Sequence, residues 1–346
     1  MRVAVLNNCV PFLEGGAEHL ADALVLKLRE YGHESTLVRV PFRWNPPEKI
    51  LDHMLACRLI KLPNVDLAIA FKFPAFYIPH PNKVLWILHQ FRQAYDLWGT
   101  PYQDLPSSPR GVAIRDAITK ADNAYLKEAK KIYTNSTVTG ARLQRFNNMD
   151  SHVLLPPLLQ EAIYKTKPNE DFIVCPGRVN GAKRQLLLVQ AMKYCRTPVK
   201  LVVAGKPETE IDREAINKTI ATDKLGDRVT FIDRFITDTE KVDLLSRCLA
   251  AAYIPYDEDS YGYVTLEACL SRKPVITCTD SGGIDMLVRD GDTGYITAPE
   301  PKALAAAMDT LFQNEAKTVA MGNRAYEHAA SFHINWDTVI KTLTAS

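Results

Sequence analysis

Tyr253-Ile-Pro-Tyr-Asp-Glu-Asp-Ser-Tyr-Gly-Tyr-Val-Thr-Leu-Glu267-Ala-Cys-Leu-Ser-Arg-Lys-Pro-Val-Ile-Thr-Cys-Thr-Asp-Ser-Gly-Gly283 reads as strand, acidic loop, helix, strand and glycine turn. The apolar run Leu249–Pro255 is short and closes at a proline, as a buried parallel strand does. Asp257, Glu258 and Asp259 make an acidic loop. Gly262 then opens a helix to about Arg272, and Pro274 stops it before the strand Val275–Cys278. In a parallel sheet, ligands lie just beyond the carboxyl ends of the strands. The N–H groups at the start of this helix then face that crevice, where they suit an anion.

The alternation continues towards both ends. Phe172–Cys175 is a strand, and Pro176-Gly-Arg-Val-Asn-Gly-Ala-Lys183 leaves its carboxyl end. Lys183 begins a helix running to about Cys195. Two cations, Arg178 and Lys183, near a helix N-terminus suit a diphosphate and are expected to face solvent; plain surface charge is the other reading. Val199–Ala204 and Arg228–Ile232 are further strands, Asp233-Arg-Phe-Ile236 is an exit loop, and Asp238–Cys248 is a helix. Asp290-Gly-Asp-Thr-Gly294 is a glycine turn, and Ala303–Phe312, Lys317–Ser331 and Trp336–Thr344 are helices.

The first half has the same period. Arg2–Leu6 is a strand, Pro11–Gly16 a loop, Ala17–Tyr31 a helix with Leu20, Leu24 and Leu28 on one face, and Ser35–Val40 a strand. Gly15 and Gly16 mark either a tight turn or a close backbone approach to a ligand; this is not the dinucleotide fingerprint. Pro47–Leu59 is a helix, and Val65–Phe71 and Lys83–Leu88 are strands. His89 stands at the carboxyl end of the last of these, where it either contacts a ligand or serves the structure. Arg92 is placed to meet an anionic ligand. Tyr95–Pro109 is a long loop whose aromatic residues either stack on a ligand or line the surface. Ile114–Ala129 is a helix, with Lys120, Lys127, Lys130 and Lys131 open to a membrane surface or to solvent. Ile132–Asn135 is a strand, with Asn135 or Ser136 capping the next helix, and Val153–Leu155 is a short strand.

The chain has 346 residues, 47% of them hydrophobic, enough for two ordinary domains with their own cores. A formal net charge of +2 gives no case for nucleic-acid binding. Seven cysteines stand without a C-x-x-C pair, which argues against a zinc site or a disulfide framework and suits a reducing cytoplasm. Met1-Arg-Val-Ala-Val-Leu followed by Asn-Asn does not fit a signal peptide, and no apolar run approaches a membrane span. The polar stretch Gln160–Glu170 is the expected linker.

With the motifs set out, the chain resembles the retaining glycosyltransferases of family 4. Their signature is an acid, seven residues and Glu, with a Phe-Gly-like pair between; here it is Asp259 and Glu267, with Tyr261-Gly262 between. Asp259 stands where the family usually has Glu, and Met286 fills the slot of the family's Glu after Gly-Gly. Gly15, Gly16, Gly32 and His33 match the family's first loop and the end of its first helix. The resemblance implies that Gly16 lets the backbone approach donor phosphates or acceptor, and that Arg178 and Lys183 bind the donor diphosphate. It also implies that Arg234, Phe235 and Ile236 hold the nucleobase through backbone groups.

The expected fold is α/β of the GT-B kind, two Rossmann-like doubly wound domains facing a cleft. Residues 1–160 form the acceptor side and 170–332 the donor side, and a last helix, 333–346, packs back on the first domain. The expected reaction moves a sugar from a nucleotide-diphosphate sugar, UDP- or GDP-linked, to a sugar, glycolipid or other hydroxyl acceptor in polysaccharide or glycoconjugate synthesis. The N–H groups of Gly262, Tyr263, Val264 and Thr265 would stabilise the leaving phosphate, Glu267 would accept from the ribose hydroxyls, and Asp259 from the sugar. No cofactor and no metal is expected, and the setting is the cytoplasm, free or at the inner face of a membrane. Asp257-Glu-Asp259 read as a D-x-D metal motif is the competing chemistry, and it belongs to a fold with one Rossmann-like sheet. A nucleotide-sugar-binding subunit without catalysis is the second function class, motivated by Asp259 and Met286. A sugar-nucleotide epimerase, disfavoured by the Asp-x7-Glu pattern, is the third.

Overall fold

The computed structural model describes residues 1–12 and 15–345. The chain divides into two compact units, Met1–Leu159 with Ile334–Ser346, and Gln160–His333.

The first unit is built on a six-stranded sheet of order β2-β1-β3-β4-β5-β6, every neighbouring pair parallel. Its strands are β1 (Arg2–Cys9), β2 (Glu34–Pro41), β3 (Leu67–Lys72), β4 (Lys83–His89), β5 (Lys131–Thr134) and β6 (His152–Val153). The central strands read as continuous apolar runs because helices cover both faces. One face packs Leu20, Leu24 and Leu28 of α1 (Gly16–Glu30) and Trp336, Val339, Ile340 and Leu343 of α11 (Trp336–Thr344) against Val5, Ile69 and Trp86. The other takes α2 (Lys49–Leu59), α3 (Pro109–Tyr125) and α4 (Thr137–Asn147) against Leu6, Ala70 and Leu85. Ser108 caps α3 through the N–H of Gly111, with Pro109 in the first turn, and Ser136 caps α4 through the N–H of Thr139.

The second unit has strand order β12-β11-β10-β7-β8-β9, again all parallel. The strands are β7 (Phe172–Pro176), β8 (Lys200–Ala204), β9 (Val229–Ile232), β10 (Ala250–Ala252), β11 (Val275–Cys278) and β12 (Gly294–Thr297). The helices are α5 (Gln185–Ala191), α6 (Glu210–Thr222), α7 (Asp238–Arg247), α8 (Tyr263–Leu270), α9 (Pro301–Gln313) and α10 (Glu315–Ser331). From β7 to β12 the connections run outward one way through β8 and β9, then restart at β10 on the other side. This is the dinucleotide-fold order, with its topological switch point between β7 and β10, where such sheets bind ligands.

Several expectations change. Lys183 does not open a helix: α5 starts at Gln185, preceded by Arg184 in the left-handed region at φ 57°. The helix after Gly262 is Tyr263–Leu270, and β10 keeps three residues of the longer apolar run. The sequence reading missed α6 and the edge strand β12. Among the described residues, no helix is long and apolar enough to cross a membrane.

Candidate active site

The loops leaving β7, β10 and β11 meet at the switch point of the second sheet. Arg184 fastens them together. Its guanidinium donates to Ile254 O at 2.7 Å, to Pro255 O at 2.8 Å and, with both ends of the fork, to the Asp280 carboxylate at 2.7 Å. A bidentate pair of this kind fixes orientation as well as contributing energy. The sequence reading passed over Arg184, since its partners lie far along the chain.

The acidic loop is held by its main chain. Glu258 N donates to Ser281 O at 3.1 Å, and Gly283 N donates to Glu258 O at 3.0 Å. Gly282, at φ 69°, is required here, because a Cβ on it would lie 2.3 Å from Glu258 O. Gly262 caps α8, also at φ 69°, and a Cβ there would meet Cε1 of Tyr253 at 2.2 Å. The Tyr253 ring therefore lies directly against the start of α8.

Lys183 reaches this point from the β7 loop. Its Nζ donates to Tyr253 Oη at 2.7 Å and to the Glu258 carboxylate, and its side chain is 25% exposed. The expectation that it faces solvent is thus corrected: it is half-buried in an ion pair. Burial pulls the ammonium pKa down, but Glu258 and Tyr253 outweigh burial and hold it above lysine's ordinary value. Arg178 does remain open, 54% exposed, with Glu208 at 3.8 Å.

On α8, Glu267 is almost fully buried, its side chain 4% exposed. Its Oε1 accepts from Tyr164 Oη at 2.9 Å and from Lys241 Nζ at 2.6 Å. Its Oε2 and the Thr265 hydroxyl are buried with no hydrogen-bond partner. Such orphans carry a cost and suit a site completed by a ligand. The Thr265 N–H is spent inside the helix on Gly262 O at 3.0 Å, and that of Gly262 lies 3.4 Å from Ser260 Oγ. An anion at this end is therefore left the N–H groups of Tyr263 and Val264. Asp259 is buried close by in sequence, at 8% exposure.

The β9 exit loop stands apart from these contacts. Arg234 pairs with both carboxylate oxygens of Glu240, at 2.5 and 3.1 Å, and Phe235 is 72% exposed. Arg234, together with the Thr237 N–H and hydroxyl, holds the Glu240 carboxyl down at about 2. Met286 ends a short 3-10 turn, Gly283–Met286, and its carbonyl lies 3.0 Å from His328 Nε2.

In the first unit, Gly15 precedes α1 in extended backbone and Gly16 is its first residue. Leu13 and Glu14 of the predicted loop lie outside the described residues. His89 ends β4, half-buried, with Nδ1 2.6 Å from Gln90 O. Arg92 pairs with Asp96 at 2.6 Å. Tyr95 is no stacking surface: it is buried, and its hydroxyl donates to Asp122 at 2.6 Å.

Two doubly wound parallel sheets, one with a lysine and a helix N-terminus at its switch point, define a protein of two Rossmann-like domains. Residues 159–328 match the model of the family described as Glycosyl transferases group 1. A D-inositol 3-phosphate glycosyltransferase of Corynebacterium urealyticum is 28% identical over 176 residues, covering 48% of this chain and 40% of the relative. The chain spans about half or less of the length of the first curated relatives it matches. Among solved structures, Anabaena Alr3699/HepE in complex with UDP and glucose superposes with TM-score 0.74 at 18% identity, covering all of both chains. Sucrose-phosphate synthase from Thermosynechococcus elongatus gives 0.77 at 18% identity, covering 99% of this chain and 97% of that one. At such identities the likeness concerns the fold, which is GT-B.

Proposed function

We propose that the protein is a retaining glycosyltransferase of the family 4 kind, moving a sugar from a UDP- or GDP-linked donor to an acceptor hydroxyl. The observation that carries this reading is the meeting of Lys183, Tyr253 and the start of α8 at the switch point of the sheet that matches the group 1 family. Lys183, Arg178 and the N–H groups of Tyr263 and Val264 take the donor diphosphate. The buried Glu267 carboxylate offers Oε2 to the ribose hydroxyls, and Asp259 serves the sugar. The loop Arg234–Ile236 holds the base. Gly15, Gly16 and His89, at the carboxyl ends of β1 and β4, serve the acceptor side. In the transition state the sugar approaches an oxocarbenium ion while negative charge grows on the leaving phosphate. Fixed donors aimed at that charge lower the barrier, and the leaving phosphate assists attack from its own face. No protein nucleophile is assigned.

Transfer from a panel of UDP-, GDP- and ADP-sugars tests this reading, run in excess chelator with the product linkage assigned by NMR. The expected result is a product that keeps the donor's anomeric configuration, formed at the same rate with and without chelator. An inverted linkage overturns retention. Loss of activity restored by magnesium or manganese overturns metal independence in favour of an acidic-loop metal site. Binding with no transfer to any acceptor favours a non-catalytic subunit.

A further inference from the structure

The lysine assigned to the donor diphosphate already holds an anion. Lys183 Nζ donates to Tyr253 Oη at 2.7 Å and to Glu258 Oε2, and that oxygen lies 3.0 Å from Tyr253 Oη. Three side chains from two loops, those leaving β7 and β10, thus close a triangle, with the ammonium 5.0 Å from the Tyr253 ring centroid. The same ring rests on Gly262, so the triangle abuts the first turn of α8. With side chains 25% and 20% exposed, Lys183 and Glu258 are partly withdrawn from water, and their charges are screened less than on an open surface.

We propose that Glu258 is a resident counter-anion of the phosphate lysine, which yields Lys183 to the donor diphosphate and takes it back after transfer, thereby setting how tightly the leaving nucleoside diphosphate is held. The inference rests on the reading of Lys183 as the diphosphate cation. An ammonium has three N–H donors, and two are committed in the triangle. A diphosphate reaching Nζ brings its charge up to a carboxylate, and like charges at such range disfavour one another. The penalty is larger for the product. Its terminal phosphate is no longer esterified to the sugar, so it carries more negative charge than the donor. Glu258 therefore tolerates the donor better than the nucleoside diphosphate it leaves behind. The loop does not depend on the carboxylate, because the Glu258 backbone is tied separately to Ser281 and Gly283.

Glu258→Gln keeps the shape and one acceptor oxygen while removing the charge, and Glu258→Ala removes the whole group. Calorimetric titration of both variants with UDP, GDP and their sugar conjugates, beside product-inhibition kinetics, tests the proposal. Nucleoside diphosphate affinity is expected to rise about ten-fold, equivalent to about 1.4 kcal/mol. The gain for the intact donor is expected to be smaller, and product inhibition should tighten in parallel. Unchanged or weaker nucleoside diphosphate binding in both variants overturns the proposal, and so does an equal gain for product and donor. Lys183→Ala separates the two levels of failure. If it binds nucleotide like the parent, or the parent binds none, the diphosphate reading has failed and the role of Glu258 with it. If it binds more weakly while Glu258→Gln shows no gain, only the role of Glu258 has failed.

Discussion

Replacing Lys183 by alanine is expected to cut donor kcat/KM by more than the about ten- to hundred-fold that one charge-assisted hydrogen bond accounts for. Three effects add. The bond to the diphosphate is lost. Charge on the leaving phosphate rises during transfer, so the same bond is stronger in the transition state and kcat falls as well as affinity. The third effect follows from the ion pair: Glu258 loses the lysine ammonium and faces the phosphate with less of its charge compensated. Folding should suffer little, by about 1 kcal/mol, because both side chains keep some contact with water. Arg178→Ala should fall within the single-bond range, since Arg178 is more open and its Glu208 contact is long. The double variant Lys183→Ala, Glu258→Gln should recover part of the lost affinity, a non-additivity expected of groups in contact. Steady-state kinetics beside calorimetry check this, and a Lys183→Ala enzyme that binds and turns over donor like the parent would place the diphosphate elsewhere.

Local features of the chain announced much of the scaffold. Val275–Cys278 and Trp336–Thr344 were legible to the residue because each is bounded by its own signal, Pro274 before the strand and the Asn335 cap before the helix. Helix α6 was not, as eight of its thirteen residues are polar and Ile216 is its one fully buried residue; a cue was present in the capping box of Thr209 and Asp212. The edge strand β12 is short and half-buried, so it shows no strong period. Within the site, Lys183 and Glu267 were picked out from their motifs, but their partners were not. Glu258 lies 75 residues from Lys183, and Tyr164 lies 103 residues from Glu267. The first pair forms because two loops leave adjacent strands, β7 and β10, at the same end of the sheet, and the second joins the segment ahead of β7 to α8. In the acidic loop the motif points to Asp259 and gives Glu258 no role of its own, whereas the fold buries Asp259 and pairs Glu258 with a lysine.

Lys241→Met is expected to lower both the stability of the second domain and its affinity for donor, while sparing kcat. Glu267 enters from α8 with one carboxylate oxygen bonded twice, to Tyr164 and Lys241, and the other buried with no partner. Burial opposes the Lys241 charge, yet Glu267 and then Asp238 outweigh it and raise the ammonium pKa. Breaking a buried pair by removing one partner costs about 3–5 kcal/mol. The lower end applies here, because Lys241 is 24% exposed. A loss of about 3 kcal/mol lowers the melting temperature of a domain of this size by about 6–12 °C. Tyr164→Phe removes only a neutral donor and should cost about 1 kcal/mol. With its cation gone, Glu267 keeps the Tyr164 bond alone of the two that orient Oε2, and its presentation loosens. Donor binding should then weaken about ten-fold, the equivalent of one hydrogen bond to a charged group. Ribose hydroxyls gain no charge during transfer, so kcat should stay near the parent's, in contrast to Lys183→Ala. Glu267→Ala should show the same split between affinity and kcat, and Lys241→Arg should restore most of what Lys241→Met loses. Thermal melts with and without nucleotide, beside kinetics for these variants, check the set. A Lys241→Met protein that melts and binds donor like the parent would mean that this pair does not hold Glu267 in place and that the ribose is recognised elsewhere.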